Sequence, residues 1–320
     1  MATTTTATTA DTVKAAYDRA VRIALRPHLH FDGVADVRPT MQDKPGSSVQ
    51  FTINTDLSAN STALDESTDV SPATLAASTV SVTLYEYGDA VEVTEKLLGT
   101  SFDAPAFDTG AAERIGFQAA LSLDTLARDV LKGGSNVRYA TAGGTDPTAR
   151  NQIEPEDIIN ADNCRRAATD LYANNAVPFE NGLYRAFIHP DVSYDLRRET
   201  GAAAWRDPHT YSDPGAIYNG SIGEFEGHEF ISTPRAPIFA DAGSSTTLTD
   251  VYATIFVGRE SLAKAYSIAV SGEYPQVRIR PPVDILLRKH TIGWYWLGNY
   301  GRFREAAIRR VESSSSIGSN

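Results

Sequence analysis

The sequence has a single cysteine, Cys164, and only two methionines in 320 residues. One thiol excludes an intramolecular disulfide and any thiolate zinc cluster. No apolar run approaches the roughly 20 residues of a bilayer-spanning helix. The opening stretch, Met1-Ala-Thr-Thr-Thr-Thr-Ala-Thr-Thr-Ala10, lacks the basic and apolar regions of a secretory leader and reads as a mobile Thr/Ala arm. Assembly inside a cell, with no membrane partner, is the resulting expectation. Catalytic signatures are equally scarce. There is no G-x-S-x-G elbow or Walker A loop, and His228-Glu229 lacks the second histidine of a zincin.

Positive charge is missing from one long stretch. Between Pro45 and Glu95 there is no lysine or arginine, yet Asp56, Asp65, Glu66, Asp69, Glu86, Asp89, Glu92 and Glu95 lie there. From Gln276 onward the balance inverts: Arg278, Arg280, Arg288, Lys289, Arg302, Arg304, Arg309 and Arg310 face only Asp284, Glu305 and Glu312. An isolated domain gains little from that split, whereas copies that lay an acidic segment on a neighbour's basic one gain register. The overall charge of −11 argues against a protein whose task is to coat phosphates.

What is present begins with helical spacing over Asp108–Lys132. Ala111, Ala112, Ile115, Ala119, Leu123, Leu126, Ala127, Val130 and Leu131 recur on one side, and Glu113, Arg114, Gln118, Asp124, Arg128 and Asp129 fall mainly on the other. Asp108 or Thr109 can cap its start, and Gly133-Gly134 ends it. A shorter periodic segment covers Asp11–Leu25 through Val13, Ala16, Tyr17, Ala20, Val21 and Ala24, stopped by Pro27. Ser48–Asn54 alternates as a strand. Val80–Tyr85, continued by Ala90–Thr94, supplies a second, and the polar stretch between them makes an extended two-stranded arm. Such an arm has too little apolar surface for a core of its own, and its buried surface is expected on another copy.

Further along, Pro155-Glu-Asp157 announces a helix that runs to Asn174-Asn175. Tyr184–Ile188 reads as a buried strand, and Asp191 caps a brief helix through Leu196. Strands follow at Glu229–Thr233, Val251–Val257, Gln276–Arg280, His290–Leu297 and Phe303–Val311, with a long loop over Ala202–Gly220. Ser313–Ser316 reads as a disordered tail.

Each candidate for chemistry has a plainer reading. His189-Pro190-Asp191 is a turn with a capping acid before it is a catalytic pair. Glu154, Glu156 and Asp157 are helix-start acids before they are a cation site. Cys164 is a structural thiol on a half-buried face. Trp294, Tyr295 and Trp296 beside Arg288, Lys289, Arg302 and Arg304 could stack RNA bases, but strand alternation with snorkelling arginines is favoured. No catalytic residue, cofactor site or metal site emerges, and the chain is not expected to be an enzyme.

The order of parts resembles the major capsid protein of tailed phages, with the Hong Kong 97-type α+β fold. The residues that carry the likeness are Pro45-Gly46, Tyr87-Gly88, Asn174-Asn-Ala-Val-Pro178, Gly182-Leu-Tyr184, Ile188-His-Pro190 and Tyr194-Asp-Leu196. With them go Ile222-Gly-Glu224, Gly227–Thr233, Gly258, Ala265-Tyr266, Asp284 and Ile292-Gly-Trp294. The resemblance implies an N-terminal arm (1–45), an extended loop (46–97) lying over an adjacent subunit, and a peripheral domain with the spine helix (98–150). An axial domain (151–269) and a return to the peripheral sheet with the C-terminal tail (270–320) complete it. It implies a virion protein assembled in the host cytoplasm into hexamers and pentamers of an icosahedral head around double-stranded DNA, without sequence-specific binding. A portal is the further partner.

One member of that family cross-links an extended-loop lysine to a neighbour's asparagine. This loop has no lysine, so cohesion is expected to be non-covalent or to come from a cement (decoration) protein. The short segment ahead of the loop suggests a separate scaffolding protein. The intersubunit contacts expected from charge are Asp65, Glu66, Asp69 and Glu86 against Arg278, Arg280, Arg302 and Arg304. The alternatives are an encapsulin-type nanocompartment shell, an enzyme with an unrecognised site, and an RNA-binding module.

Overall fold

The computed structural model describes residues 29–37, 46–54, 57–64, 66–67, 69–70, 72–100, 104–141, 146–201, 204–205, 222–246, 248–280, 286 and 288–318. The expected helix over Asp11–Leu25 and most of the loop over 202–220 lie outside them. The chain runs through β1 (Ala35–Asp36), β2 (Ser48–Asn54), β3 (Ala77–Thr83) and β4 (Tyr85–Thr94), then α1 (Glu95–Thr100), α2 (Ala104–Lys132) and β5 (Val137–Tyr139). α3 (Ala161–Ala173), β6 (Tyr184–Ile188) and α4 (Pro190–Arg198) come next, followed by β7 (Glu224–Phe225), β8 (His228–Ser232), β9 (Ile238–Phe239) and β10 (Val251–Val257). β11 (Leu262–Tyr266), β12 (Gln276–Arg280), β13 (Lys289–Arg302) and β14 (Ile308–Ser313) close it.

These strands make three sheets. A five-stranded sheet has the order β1-β11-β13-β12, with β4 along the other edge of β13; a seven-stranded sheet has the order β5-β14-β10-β6-β8-β7, with β9 beside β10; β2 and β3 pair alone. Every residue of β10 is buried, as its continuous apolar run requires. Its alternation sends Ile255 and Val257 into the core under α2, and Tyr252 and Phe256 into the core under α3 and α4.

α2 is what joins the two larger sheets. Its 29 residues span about 44 Å at the usual helical rise. Ile115, Ala119, Leu123, Ala127 and Leu131 pack in one core with Trp294 and Trp296 of β13 and with Ile255 and Phe187 of the other sheet. The small residues let the helix lie close to both. The helix starts at Ala104, ahead of the expected Asp108, because Pro105 fits a first helical turn. At the other end, Gly134 takes a φ of +94°, and the Arg310 guanidinium donates to the carbonyls of Lys132 and Gly133.

Several expectations are corrected. Pro155-Glu-Asp157 is a turn, in which Asp157 Oδ2 accepts the Glu154 N–H at 2.9 Å. α3 begins after Asn160, whose side chain accepts the Asn163 N–H at 2.9 Å, because Ile158 is held extended by a parallel bridge to Ser314. His189 rather than Asp191 caps α4, its Nδ1 accepting the Asp191 N–H with Pro190 in the first turn. The serine tail is ordered. Ser313, Ser314 and Ser315 are buried, and the carboxylate of Asp195 accepts from Ser315 Oγ at 2.8 Å and Ser316 N at 2.9 Å. Composition suggests disorder there, but one buried acid supplies the partners that these short polar side chains need.

The chain crosses from the seven-stranded to the five-stranded sheet between β10 and β11, and returns between β13 and β14. The boundary expected at 269/270 coincides with neither crossing.

Candidate intersubunit surface

The hairpin divides into two unlike halves. At its base, β2 and β3 pair in register, Val49 opposite Val82 and Phe51 opposite Val80. Val49, Phe51, Val82 and Leu84 are buried against Ala263, Ala265 and Phe303 of the same chain. The Phe51 and Phe303 rings lie 5.7 Å apart, and Asn299 Nδ2 donates to the Thr83 carbonyl at 3.0 Å. A Cβ on Gly301 would sit 2.6 Å from Val82 Cγ2, so glycine is what lets the hairpin seat. This corrects the expectation that the arm finds its buried surface only on another copy: its base is anchored on its own body.

The arm is also shorter than the sequence suggests. The second strand breaks at Leu84, and β4 leaves the hairpin to pair with β13 along ten residues, Tyr85 opposite Gly298 through Thr94 opposite Lys289. The distal half of the hairpin, described over 57–64, 66–67, 69–70 and 72–76, forms no strand. It carries exposed apolar side chains, with Leu57 at 55%, Leu64 at 72%, Val70 at 51% and Leu75 at 82% of full exposure.

Of the charged residues expected to meet across subunits, Glu66 and Asp69 are exposed on this distal half, and Asp65 lies outside the described residues. Asp69 accepts the Val70 N–H at 2.8 Å. Glu86 is hydrogen-bonded to Tyr295, whose phenol is raised in pKa by burial and by that carboxylate. The Arg278 guanidinium lies 3.9 Å from the Tyr295 ring centre, so Glu86 and Arg278 meet the same side chain. Arg302 pairs with Glu305 at 3.0 Å, and Glu305 also accepts the Ser135 N–H just beyond α2. Arg304 is half-buried at the turn before β14, and the backbone of Arg280 ends β12 opposite Thr291. Among the described residues, no ion pair joins Glu66 or Asp69 to Arg278, Arg302 or Arg304.

Much of the C-terminal positive charge is already matched within the chain. Lys289 pairs with Glu92 at 2.5 Å, Arg309 with Asp170 at 2.6 Å, and Arg310 with Glu312 at 2.7 Å. Glu312 is fully buried and also receives Arg150 through bonds of 2.8 and 2.7 Å. Burial lowers the Arg310 pKa, while the Glu312 carboxylate raises that of Arg150. Trp294 and Trp296 are core residues, not a stacking platform.

Two buried clusters escaped sequence reasoning. Asp124, placed by periodicity on the polar side of the helix, is 1% exposed and accepts from His30 N at 2.8 Å, Phe31 N at 2.9 Å and Arg235 Nη1 at 3.2 Å. Lys264, also 1% exposed, lies 2.8 Å from Asp32, which accepts the Tyr300 hydroxyl at 2.6 Å. Burial and the Asp32 charge push the Tyr300 phenol well above its usual pKa. Both clusters fasten residues 30–32 to the body. An acid at a helical position just outside the apolar stripe was the only available signal, and it is a weak one.

Among the described residues, no three His, Cys, Asp or Glu side chains converge as a metal site, and no helix is long and apolar enough to cross a membrane. A groove of about 650 Å³ runs past Thr141, Ile158, Asn160 and Glu199. Glu156 and Asp195 also line it, and two of its acids are committed, Asp195 to the serine tail and Glu199 to the Ala161 N–H at 2.8 Å.

A family model described as phage capsid protein matches residues 30–317. The chain belongs to the phage capsid protein family. Among solved structures, the capsid of Ralstonia phage GP4 is similar with a TM-score of 0.71 at 15% identity, over 90% of this chain and 89% of that one. The head of Helicobacter pylori bacteriophage KHP40 gives 0.65 at 11%, over 88% and 91%. The Cyanophage Pam1 capsid gives 0.63 at 13%, over 92% and 93%. At such identities the likeness establishes a shared fold. No curated protein matches the sequence. This is a structural family and not an enzyme class, it places the capsid protein in the virion, and the matches do not favour an encapsulin.

Proposed function

We propose that this capsid protein, of the Hong Kong 97 type, builds hexamers and pentamers of an icosahedral head by laying the distal half of its hairpin over an adjacent copy. The observation that carries this reading is the contrast within the hairpin: a base buried on its own body and a tip exposing Leu57, Leu64, Val70 and Leu75. A tip held on a fixed base loses less freedom on docking than a free loop. Burying each of these side chains contributes about 1–2 kcal/mol. An exposed ion pair contributes about 0–1 kcal/mol. Apolar contact therefore sets affinity, and Asp65, Glu66 and Asp69 against Arg278, Arg280, Arg302 and Arg304 of the neighbour set register; Glu86 acts through Tyr295.

The absence of lysine from Pro45 to Glu95 supports cohesion without covalent cross-links through the loop, aided by a cement protein where one exists. Assembly in the host cytoplasm, with a separate scaffold and a portal, around double-stranded DNA held without sequence-specific contacts, completes the reading. The test is assembly of Leu64→Asp/Leu75→Asp and of Arg302→Glu/Arg304→Glu variants, followed by sedimentation and negative-stain microscopy. The leucine pair should leave a folded, unassembled subunit, and the arginine pair should make assembly salt-sensitive. Normal shells from the leucine variant would refute the docking of the tip.

A further inference from the structure

The body of the subunit holds a buried primary amine that assembly does not use. Lys264 lies on the same side of β11 as Leu262 and Tyr266, facing the core under α2, and its side chain is 1% exposed. β1 pairs in parallel with β11, Ala35 opposite Leu262, which brings Asp32, in the turn just ahead of β1, against this lysine. Lys264 Nζ is 2.8 Å from Asp32 Oδ1, and the Asp32 side chain is 8% exposed. The same Oδ1 accepts the Tyr300 hydroxyl at 2.6 Å. A second carboxylate, Glu273, stands 3.9 Å from Nζ, and its backbone carbonyl accepts Trp296 Nε1 at 3.2 Å. The ring centres of Tyr274 and Tyr300 lie 4.3 and 5.8 Å from Nζ.

We propose that Lys264 and Asp32 condense into an intrachain amide, with Glu273 relaying protons and Tyr300 holding the oxygen that remains as the carbonyl. Nζ attacks Asp32 Cγ and the C–N bond forms, while the Tyr300 hydroxyl meets the charge that develops on Oδ1. Both protons that Nζ loses pass by way of Glu273 to Oδ2, whose bond to Cγ breaks, and Oδ2 leaves as water. An ammonium and a carboxylate become one neutral amide and one water, so atoms and charge balance with no further reagent. Burial drives the step, because the ion pair keeps two desolvated charges in the interior and the amide keeps none. The reacting groups are already held in contact, so no encounter has to be arranged. A purely structural pair would be served better by the rigid fork of arginine, whereas lysine supplies a nucleophile. The bond would close a loop of about 230 residues and fasten the N-terminal segment to β11 covalently.

The test is the intact mass of the full chain, kept folded at neutral pH and then denatured. The parent should be lighter than its sequence by one water, and a protease digest should contain a branched peptide joining Asp32 to Lys264. Asp32 precedes Gly33, and a succinimide at that step would lose the same water. Lys264→Arg separates the two, since it keeps the charge pair, offers no amine and should restore the full mass. Glu273→Gln should slow closure at least about ten-fold, read as the closed fraction against time after synthesis. A parent chain of full sequence mass, a water loss that persists in Lys264→Arg, or equal closure in Glu273→Gln would each overturn the proposal. The mass is independent of assembly, so this measurement and the hairpin variants can fail separately.

Discussion

Replacing Asp124 should test how the capsid protein holds its N-terminal segment. In Asp124→Ala three donors lose their acceptor at once. The Phe31 N–H is fully buried and has no route to water, which costs about 1–3 kcal/mol. The His30 N–H is half-exposed and recovers most of its loss by hydration. The Arg235 guanidinium, with its side chain 17% exposed, keeps a partial solvent contact and loses about 1–2 kcal/mol. The sum is about 2–5 kcal/mol, a large part of the roughly 5–15 kcal/mol by which folded proteins are stable. Asp124→Asn keeps an oxygen facing both N–H groups but sets its NH2 where Oδ2 accepts Arg235 Nη1, so it loses the charge and that one bond and should cost about 1–2 kcal/mol. Urea unfolding of the unassembled subunit, followed by tryptophan fluorescence, reads both, because Trp294 and Trp296 share a core with α2. Equal shifts for the two variants, or an alanine variant within about 0.5 kcal/mol of the parent, would show that the carboxylate does not satisfy these donors.

Three further outcomes are expected. Gly301→Val should push Val82 off its seat, cost about 1–3 kcal/mol and open the hairpin to limited proteolysis at β2 and β3 before the rest of the chain is cut. His228 is buried against Phe256, and burial lowers its pKa from 6.5 to about 4. The unfolded chain therefore binds a proton between those values that the folded chain does not, so stability falls as pH drops through that window, by about 3 kcal/mol at most. His228→Phe should flatten that part of the urea midpoint against pH, and an unchanged slope would assign it elsewhere. Asp195→Ala should release the serine tail, raising hydrogen exchange at Ser315 and Ser316 while the strands of the seven-stranded sheet stay protected.

The parts legible in the sequence are those whose pattern is local. α2 announces itself by period and by Gly133-Gly134, β6 and β10 by short apolar runs, and the hairpin by two alternating strands about a polar middle. Cys164, read as a structural thiol on a half-buried face, is fully buried. The departures arise where a distant residue supplies the missing partner. Asp124 looks like a solvent acid until residues 30 and 31 arrive from 94 and 93 positions away. The basic C-terminus looks like a free surface until Asp170, Glu305 and Glu312 are placed beside it.

By itself, then, the sequence determined the inventory: a long small-residue helix, the strands of the sheets and a cation-free projection. Each follows from spacing and composition, which act over a few residues. Only the tertiary structure decided that the hairpin base is anchored at home while its tip is exposed, that β4 joins the five-stranded sheet, and that the serine tail is fastened. Those choices depend on which distant groups meet in a dry interior, where an unmatched charge or N–H costs more than local preference can recover.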